Sequence, residues 1–108
     1  MLSVVLVPKI DFIFDRDCPH AETARENLRD ALGRASLPFT WTEHTVGDRD
    51  LPAYARGFGS PTVLVDTRDV GGEQPGVAPH CRLYANHRGA PSVEEILSAL
   101  EAASRLAS

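Results

Sequence analysis

The sequence predicts an α/β fold with a mixed four-stranded sheet flanked by helices. An alternating apolar segment is followed by a helical segment and then by a second strand-like segment, which indicates two parallel strands joined by a right-handed crossover. Two further strand candidates follow each other with no helix between them, so we expect them to be antiparallel. A helix with a clear apolar stripe ends the chain.

The length and charge limit the class of protein. The 108 residues fit one domain, which we divide into an N-terminal arm, 1–8, and a domain, 9–108. With 43% hydrophobic residues, the domain can form a core without disulfides or a structural metal. The net charge of −4 argues against nucleic-acid binding. No apolar stretch reaches the ~18 residues of a transmembrane helix, so no membrane partner is expected.

The N-terminal arm is apolar but has no basic segment before it, so we do not expect a signal peptide. Without such a signal, a chain with two cysteines is expected in the reducing cytoplasm. The sequence leaves open whether the arm forms an edge strand, and whether the arm or a sheet edge mediates a homodimer.

The first strand is predicted from Ile10 to Phe14, where apolar residues recur with a period of two. A helix is predicted to begin at Cys18-Pro19, because proline is favoured at the first helical position. Gly33 is predicted to end that helix. Its apolar face is formed by residues three and four apart: Ala21, Ala24, Leu28, Ala31 and Leu32.

A second strand is predicted over residues 39–46 from their threonine and aromatic content. A short helix is predicted over 51–57, with Pro52 in its first turn. After the breaker Gly59-Ser60-Pro61, the β-branched run 62–65 indicates a buried strand.

Residues 66–80 are rich in Gly, Pro and Asp and predict a long surface loop. A short fourth strand is predicted over residues 81–84. Ser92 and Glu95 have the spacing of a capping box, which predicts the start of the last helix. That helix carries an apolar stripe: Val93, Ile96, Leu97, Leu100 and Ala103.

Cys18 is the main candidate for chemistry, because it lies where a strand ends and a helix begins. The positive end of the helix dipole favours a thiolate over a thiol there. A protonated His20 would add to this effect, whereas the carboxylates of Asp15 and Asp17 oppose it. The position also predicts a partly exposed thiol. The plain alternative is that Cys18 is only a small N-cap, a role for which cysteine is poorly suited.

The runs Cys18-Pro19-His20-Ala21 and Gly59-Ser60-Pro61-Thr62 resemble the thioredoxin-like superfamily over about residues 9–103. The resemblance implies a thioredoxin-like fold with a cis bond between Ser60 and Pro61. It also implies a substrate groove formed by Pro19, Ser60 and Thr62 beside the Cys18 sulfur, where the Ser60 backbone accepts an extended substrate.

More narrowly, the chain resembles small bacterial thioredoxin- and glutaredoxin-like proteins with a late Cys-Arg-aliphatic-Tyr segment, here beginning at Cys81; some relatives carry the name alkylmercury lyase. The start of the motif also resembles the Cys-Pro-His-Cys of periplasmic disulfide oxidases, but Ala21 takes the place of the second cysteine. The resemblance therefore implies a monothiol cycle, with glutathione as co-substrate or Cys81 as the second thiol.

Two interpretations of Cys81 stay open. A disulfide with Cys18 requires a Cα separation of roughly 4.4–6.8 Å, whereas the predicted fourth strand starts at the far end of the sheet unless loop 66–80 folds back. Otherwise Cys81 is a buried apolar side chain. His80-Cys81 with Cys18 and His20 would supply four zinc donors, but the spacing matches no zinc motif, so no metal is predicted.

Two functional hypotheses follow. The first is a monothiol thiol–disulfide oxidoreductase in which Cys18, His20 and Pro61 act on a thiol or disulfide substrate, small or protein. The second is a non-catalytic binding module, or a thiol that captures a metal or organomercurial; the missing second cysteine of the motif favours it. His44 is interpreted as an ordinary surface or strand histidine, and Tyr54 as a packing residue in preference to one that lines a groove near Pro61.

Overall fold

The computed structural model describes residues 7–72 and 89–107, with side chains as far as Ser104. The described helices are α1 and α2, with a short 3₁₀ helix between the second and third strands. The elements in chain order are β1 (Ile10–Phe14), α1 (Ala21–Arg34), β2 (Thr42–Thr45), the 3₁₀ helix (Ala53–Ala55), β3 (Thr62–Val65), β4 (Arg68–Asp69) and α2 (Val93–Ala107).

The strands form one mixed sheet in the order β2-β1-β3-β4. β1 is parallel to β2, with Asp11 opposite Thr42, and antiparallel to β3, with Phe12 opposite Val63. β3 and β4 are antiparallel. The predicted α/β fold with a four-stranded mixed sheet and flanking helices is confirmed, and its strand order and directions are consistent with a thioredoxin-like arrangement. No helix among the described residues has the length and apolar character needed to cross a membrane.

The fourth strand differs from the prediction. β4 lies inside the predicted loop 66–80, and residues 81–84, where a strand was predicted, lie outside the described residues. Asp66 and Thr67 both have positive φ, 50° and 70°, and form a two-residue hairpin turn of the kind whose twist matches antiparallel strands. Asp66 is also fixed to Lys9, because its N–H donates to the Lys9 carbonyl and its Oδ1 accepts from the Lys9 N–H, both at 2.8 Å.

Helix α1 begins two residues later than predicted, at Ala21 instead of Pro19. The Cys18 N–H donates to the Asp15 carbonyl at 3.0 Å, and the Ala21 N–H donates to the Cys18 carbonyl at 3.4 Å, so two turns precede the helix. His20 is the N-cap, and its side chain makes no capping hydrogen bond. Cys18 is therefore not an N-cap, and Pro19 lies in a turn rather than at the first helical position.

The end of α1 also differs, because Ser36 and not Gly33 supplies the left-handed residue, with φ 57°. The Leu37 N–H donates to the Leu32 carbonyl at 2.9 Å, and the Ser36 N–H donates to the Gly33 carbonyl at 3.1 Å. This pair of bonds is a Schellman motif, which satisfies the last helical carbonyls. It also returns Leu37 to the core beside Leu32.

The other boundaries follow from local bonding. β2 is four residues long rather than the predicted eight, and a 3₁₀ helix of three residues replaces the predicted helix over 51–57. The capping box is confirmed: Ser92 Oγ accepts from the Glu95 N–H at 3.0 Å, and Glu95 Oε1 accepts from the Ser92 N–H at 3.1 Å.

Each face of the sheet has its own core, because successive strand residues point to opposite faces. On the helix face, Phe12 and Val63 pack against both helices. On the opposite face, the core is smaller and surrounds the 3₁₀ helix; its buried members are Ile13, Leu51, Ala55, Phe58 and Leu64.

Candidate functional site

The predicted site residues that the structure describes lie at one edge of the sheet. Because β1 and β2 are parallel and β3 is antiparallel to β1, both strands end where β3 begins. Three connecting segments therefore converge at this edge: 15–20, 46–51 and 58–61. Ligands of open α/β sheets bind at the carboxyl ends of the strands, so this edge is the first place to look for a site.

One hydrogen bond joins two of these segments, and a second attaches the third segment to the end of β1. The Asp15 N–H donates to Ser60 Oγ at 2.8 Å, and the Val46 N–H donates to the Phe14 carbonyl at 2.9 Å. The first bond connects residues 45 positions apart in sequence. It fixes the turn that leads to Cys18 against the loop that carries Pro61.

Cys18 is buried, with only 8% of the residue exposed, and it belongs to the helix-face core together with Ala21 and Ala90. The predicted partial exposure is therefore wrong. The turn closed by the Cys18 N–H and the Asp15 carbonyl leads the chain into this apolar cluster before the helix starts. Any reaction at the sulfur takes place at the margin of the core.

The loop before β3 is built from internal hydrogen bonds. The Ser60–Pro61 bond is cis, as the resemblance predicts. Ser60 accepts from Asp15, and Thr62 Oγ1 donates to the Gly59 carbonyl at 2.6 Å. Ser60 and Thr62 are 1% and 0% exposed, so their side chains hold the loop in shape and present no surface to a substrate.

Two neighbouring surface cavities lie along the same edge and share the segment 46–48. One, of about 470 Å³, is lined by Asp15, Arg16 and Asp17. The other, of about 510 Å³, extends over the face opposite the helices; among its lining residues are Ile13, Arg49, Leu51, Arg56 and Phe58.

The charges around these cavities are mixed. Asp15 Oδ1 accepts from the Asp17 N–H at 3.0 Å, which keeps this carboxylate within its own turn. Arg56 Nε donates to the Leu51 carbonyl at 3.1 Å. By contrast, Arg16 and Arg49 make no hydrogen bond or ion pair within ranges 7–72 and 89–107, so both guanidinium groups are available to an anionic ligand.

A buried carboxylate on the opposite face was not identified from the sequence. Asp11 is 1% exposed, His44 Nε2 lies 2.8 Å from its Oδ1, and the Tyr54 hydroxyl donates to both carboxylate oxygens at 3.1 Å. Lys9 Nζ lies 4.4 Å from the centre of the Tyr54 ring. A hydrogen bond with Tyr54, reinforced by the Asp11 charge, raises the pKa of Lys9.

The sequence contains one indication of this cluster, because Asp11 is an acidic residue in the otherwise apolar strand β1. Its partners could not be found without the strand pairing, because His44 and Tyr54 lie 33 and 43 residues away in sequence. The bonds connect β1 to the edge strand and to the 3₁₀ helix. Asp11, His44 and Tyr54 are therefore a structural polar cluster on the face away from α1 and α2.

The proposed second thiol, Cys81, lies outside the described residues, as do His80 and His87. Within the described ranges, no three His, Cys, Asp or Glu side chains are grouped so that they could hold a metal ion. A scan of family models and searches of curated proteins and of solved structures found no match to the chain.

Proposed function

We propose that the protein is a monothiol thiol–disulfide oxidoreductase that acts through the thiolate of Cys18. The observation that carries this proposal is the 2.8 Å bond from the Asp15 N–H to Ser60 Oγ. It holds the turn before Cys18 against the loop of Pro61, the arrangement expected from the resemblance to thioredoxin-like proteins. In this proposal His20, two residues from Cys18, favours the thiolate, and Pro61, which is itself buried, keeps the Ser60 loop in place beside the turn of Cys18.

The reaction needs only thiols and a disulfide. The Cys18 thiolate attacks one sulfur of a disulfide R–S–S–R′, forming Cys18–S–S–R and releasing R′–S⁻. A glutathione thiolate then attacks the sulfur of R in the mixed disulfide, which gives R–S–S–glutathione and restores the Cys18 thiolate. A second glutathione releases R–SH and leaves oxidised glutathione. Two electrons pass from two glutathione molecules to the substrate, and a reducing cytoplasm supplies that reductant.

The low exposure of Cys18 favours a narrow, flexible disulfide over a rigid protein surface, since only 8% of the residue is accessible. Arg16, two residues from Cys18 and without an ion pair among the described residues, offers a positive charge to a carboxylate of such a tripeptide thiol. Both features support glutathione as the co-substrate.

The burial of Cys18 in the helix-face core also favours a second candidate, a non-catalytic thioredoxin-like module that binds a partner. In this case the sulfur is a core side chain, as small and apolar as the alanines around it. A thiol that captures a metal or an organomercurial is a variant of this candidate.

The test compares Cys18→Ser with Cys81→Ser in glutathione-dependent reduction of hydroxyethyl disulfide. We expect turnover to be lost in Cys18→Ser and retained in Cys81→Ser, which is the matched control because it removes the other cysteine. Intact mass after treatment with oxidised glutathione is expected to show one glutathione on Cys18. Equal turnover in the wild type and Cys18→Ser would reject the proposed oxidoreductase and leave the binding module.

A further inference from the structure

Gly89 lies under the imidazole of His20. A Cβ built on Gly89 would overlap Cγ, Cδ2 and Nε2 of that ring. Rotation of the ring about Cβ–Cγ does not move Cγ, so an alanine at position 89 would force His20 into another χ1 rotamer or displace the backbone. The glycine is buried and the histidine is exposed, so the ring covers the glycine from outside.

The backbone conformation does not explain this glycine. Gly47, Gly57 and Gly72 have φ between 75° and 86°, where other residues are strained, but Gly89 is not among the glycines with positive φ. A side chain at position 89 is therefore excluded by its neighbour and not by its own dihedral angles. The three atoms that such a side chain would meet first all belong to the His20 ring.

His20 has no competing role in the described residues. It occupies the N-cap position of α1 but makes no capping hydrogen bond, although that position favours side chains that cap. The ring makes no hydrogen bond or ion pair within ranges 7–72 and 89–107. What holds the ring in place is its packing on Gly89.

The surface under the ring is itself fixed to the site. Ala90 is 5% exposed and belongs to the same core cluster as Cys18. The next residue, Pro91, accepts a hydrogen bond from Asn27 Nδ2 of α1 at 2.9 Å. The segment 89–91 is thus attached to α1, the helix that His20 precedes. It forms the surface on which the His20 ring packs, and His20 is two residues from Cys18.

We infer that Gly89 is a positioning residue, whose missing side chain holds the His20 imidazole in one orientation beside the turn of Cys18. The inference rests on the proposed function for its chemical meaning, because it assigns to the positioned ring the role of favouring the Cys18 thiolate. It adds a residue from the far end of the chain to the site. It also explains why a histidine occupies an N-cap without capping.

The experiment uses the full chain in a Cys81→Ser background, so that Cys18 is the only thiol. The variants are Gly89→Ala, His20→Ala and the double variant. We measure the melting temperature, the nuclear Overhauser contacts between the His20 ring and the Gly89 α-protons, and the rate of Cys18 alkylation by iodoacetamide from pH 5 to 10.

We expect Gly89→Ala to lower the melting temperature with His20 present and not to lower it in the His20→Ala background. We expect Gly89→Ala and His20→Ala each to move the midpoint of the alkylation profile upward by about 0.5 pH unit or more, with no further shift in the double variant. Gly33→Ala is the matched glycine control, since a Cβ there would meet the Phe39 ring at an ordinary 3.5 Å. It should leave the alkylation profile unchanged.

An equal loss of melting temperature with and without His20 would overturn the inference, as would a wild-type spectrum without contacts between His20 and Gly89. A stability effect that depends on His20 but leaves the alkylation profile unmoved would reduce Gly89 to a packing residue and also overturn it. These outcomes differ from a failure of the proposed function, in which turnover is absent while the coupled shift of the alkylation profile is still observed.

Discussion

The two faces of the sheet are stabilised in different ways. On the helix face, apolar side chains of β1 and β3 pack against α1 and α2 in one extended core. On the opposite face, a smaller apolar cluster lies next to the buried Asp11, which is bonded to His44 and Tyr54. The stability of the helix face therefore depends on the close packing of apolar side chains. The stability of the opposite face depends in addition on the hydrogen bonds of a few buried polar groups.

The largest expected effect is on the helix face. Leu28 is fully buried in α1, so Leu28→Ala removes a side chain and leaves a cavity against the sheet. We expect a loss of about 3 kcal/mol in the free energy of unfolding, measured by urea denaturation. Leu37→Ala is the control on the same face, because Leu37 is only partly buried and should cost clearly less. Equal losses in the two variants would contradict the view that packing stabilises this face.

Asp11→Asn tests the opposite face with little change in volume. The new Nδ2 group meets either the Tyr54 hydroxyl or His44 Nε2, which leaves at least one buried polar group poorly matched. We expect a loss of about 2 kcal/mol in the free energy of unfolding.

Tyr54→Phe is the companion variant, since it removes one donor and leaves the carboxylate with His44. It should lower the free energy of unfolding by about 1 kcal/mol. If Asp11→Asn left the free energy of unfolding unchanged, the polar cluster would not stabilise this face. The proposed difference between the two faces of the sheet would then be wrong.

This contrast explains how far the sequence predicts the fold. Periodicity identifies the helix face, because β1 repeats every two residues and α1 every three or four. The cluster around Asp11 depends on strand register, which places His44 opposite Ile13 and beside Asp11. No local pattern contains that register. The hairpin at Asp66-Thr67 was missed for a related reason, since neither residue is the glycine that such turns favour.

For the site, the sequence indicates candidate residues but not their surroundings. The resemblance correctly predicted the cis bond before Pro61. Cys18 is buried because two consecutive turns precede the helix. The sequence did not indicate these turns, since proline at position 19 predicts that the helix begins there. The contact between His20 and Gly89 joins positions 69 residues apart, so it is visible only in three dimensions.

The edge of the helix face is expected to depend on pH. Glu43 accepts from Arg25 at 2.7 and 3.1 Å and from Trp41 Nε1 at 3.0 Å. The hydrogen bond from Arg25 is the largest cause of a lowered Glu43 pKa, from an ordinary value of 4.5, and it outweighs the opposing effect of burial. A lowered pKa stabilises the folded state above the unfolded value, and this contribution is lost as the pH falls through the folded value.

Glu43→Gln should therefore cost about 0.5–1 kcal/mol at pH 7, a small effect because the pair is partly exposed to solvent. The difference from the wild type should shrink as the pH falls below about 4.5. Urea denaturation from pH 7 to pH 3 measures it. Glu22→Gln is the control, because the Glu22 side chain is 69% exposed and should matter less. A difference that stays constant down to pH 3 would contradict the assignment to the carboxylate charge.

The smallest effect is expected at the end of α1, where Ser36 adopts a φ of 57° to close the Schellman motif. Glycine takes this conformation without the steric cost that a Cβ brings, so Ser36→Gly should stabilise the protein by about 0.5 kcal/mol, after the greater freedom of glycine in the unfolded chain is included. The matched control is Ser104→Gly inside α2, which should destabilise, since glycine is unfavourable within a helix. Thermal unfolding distinguishes the two signs. A destabilised Ser36→Gly would mean that the serine side chain, and not the backbone turn, directs Leu37 back to the helix face.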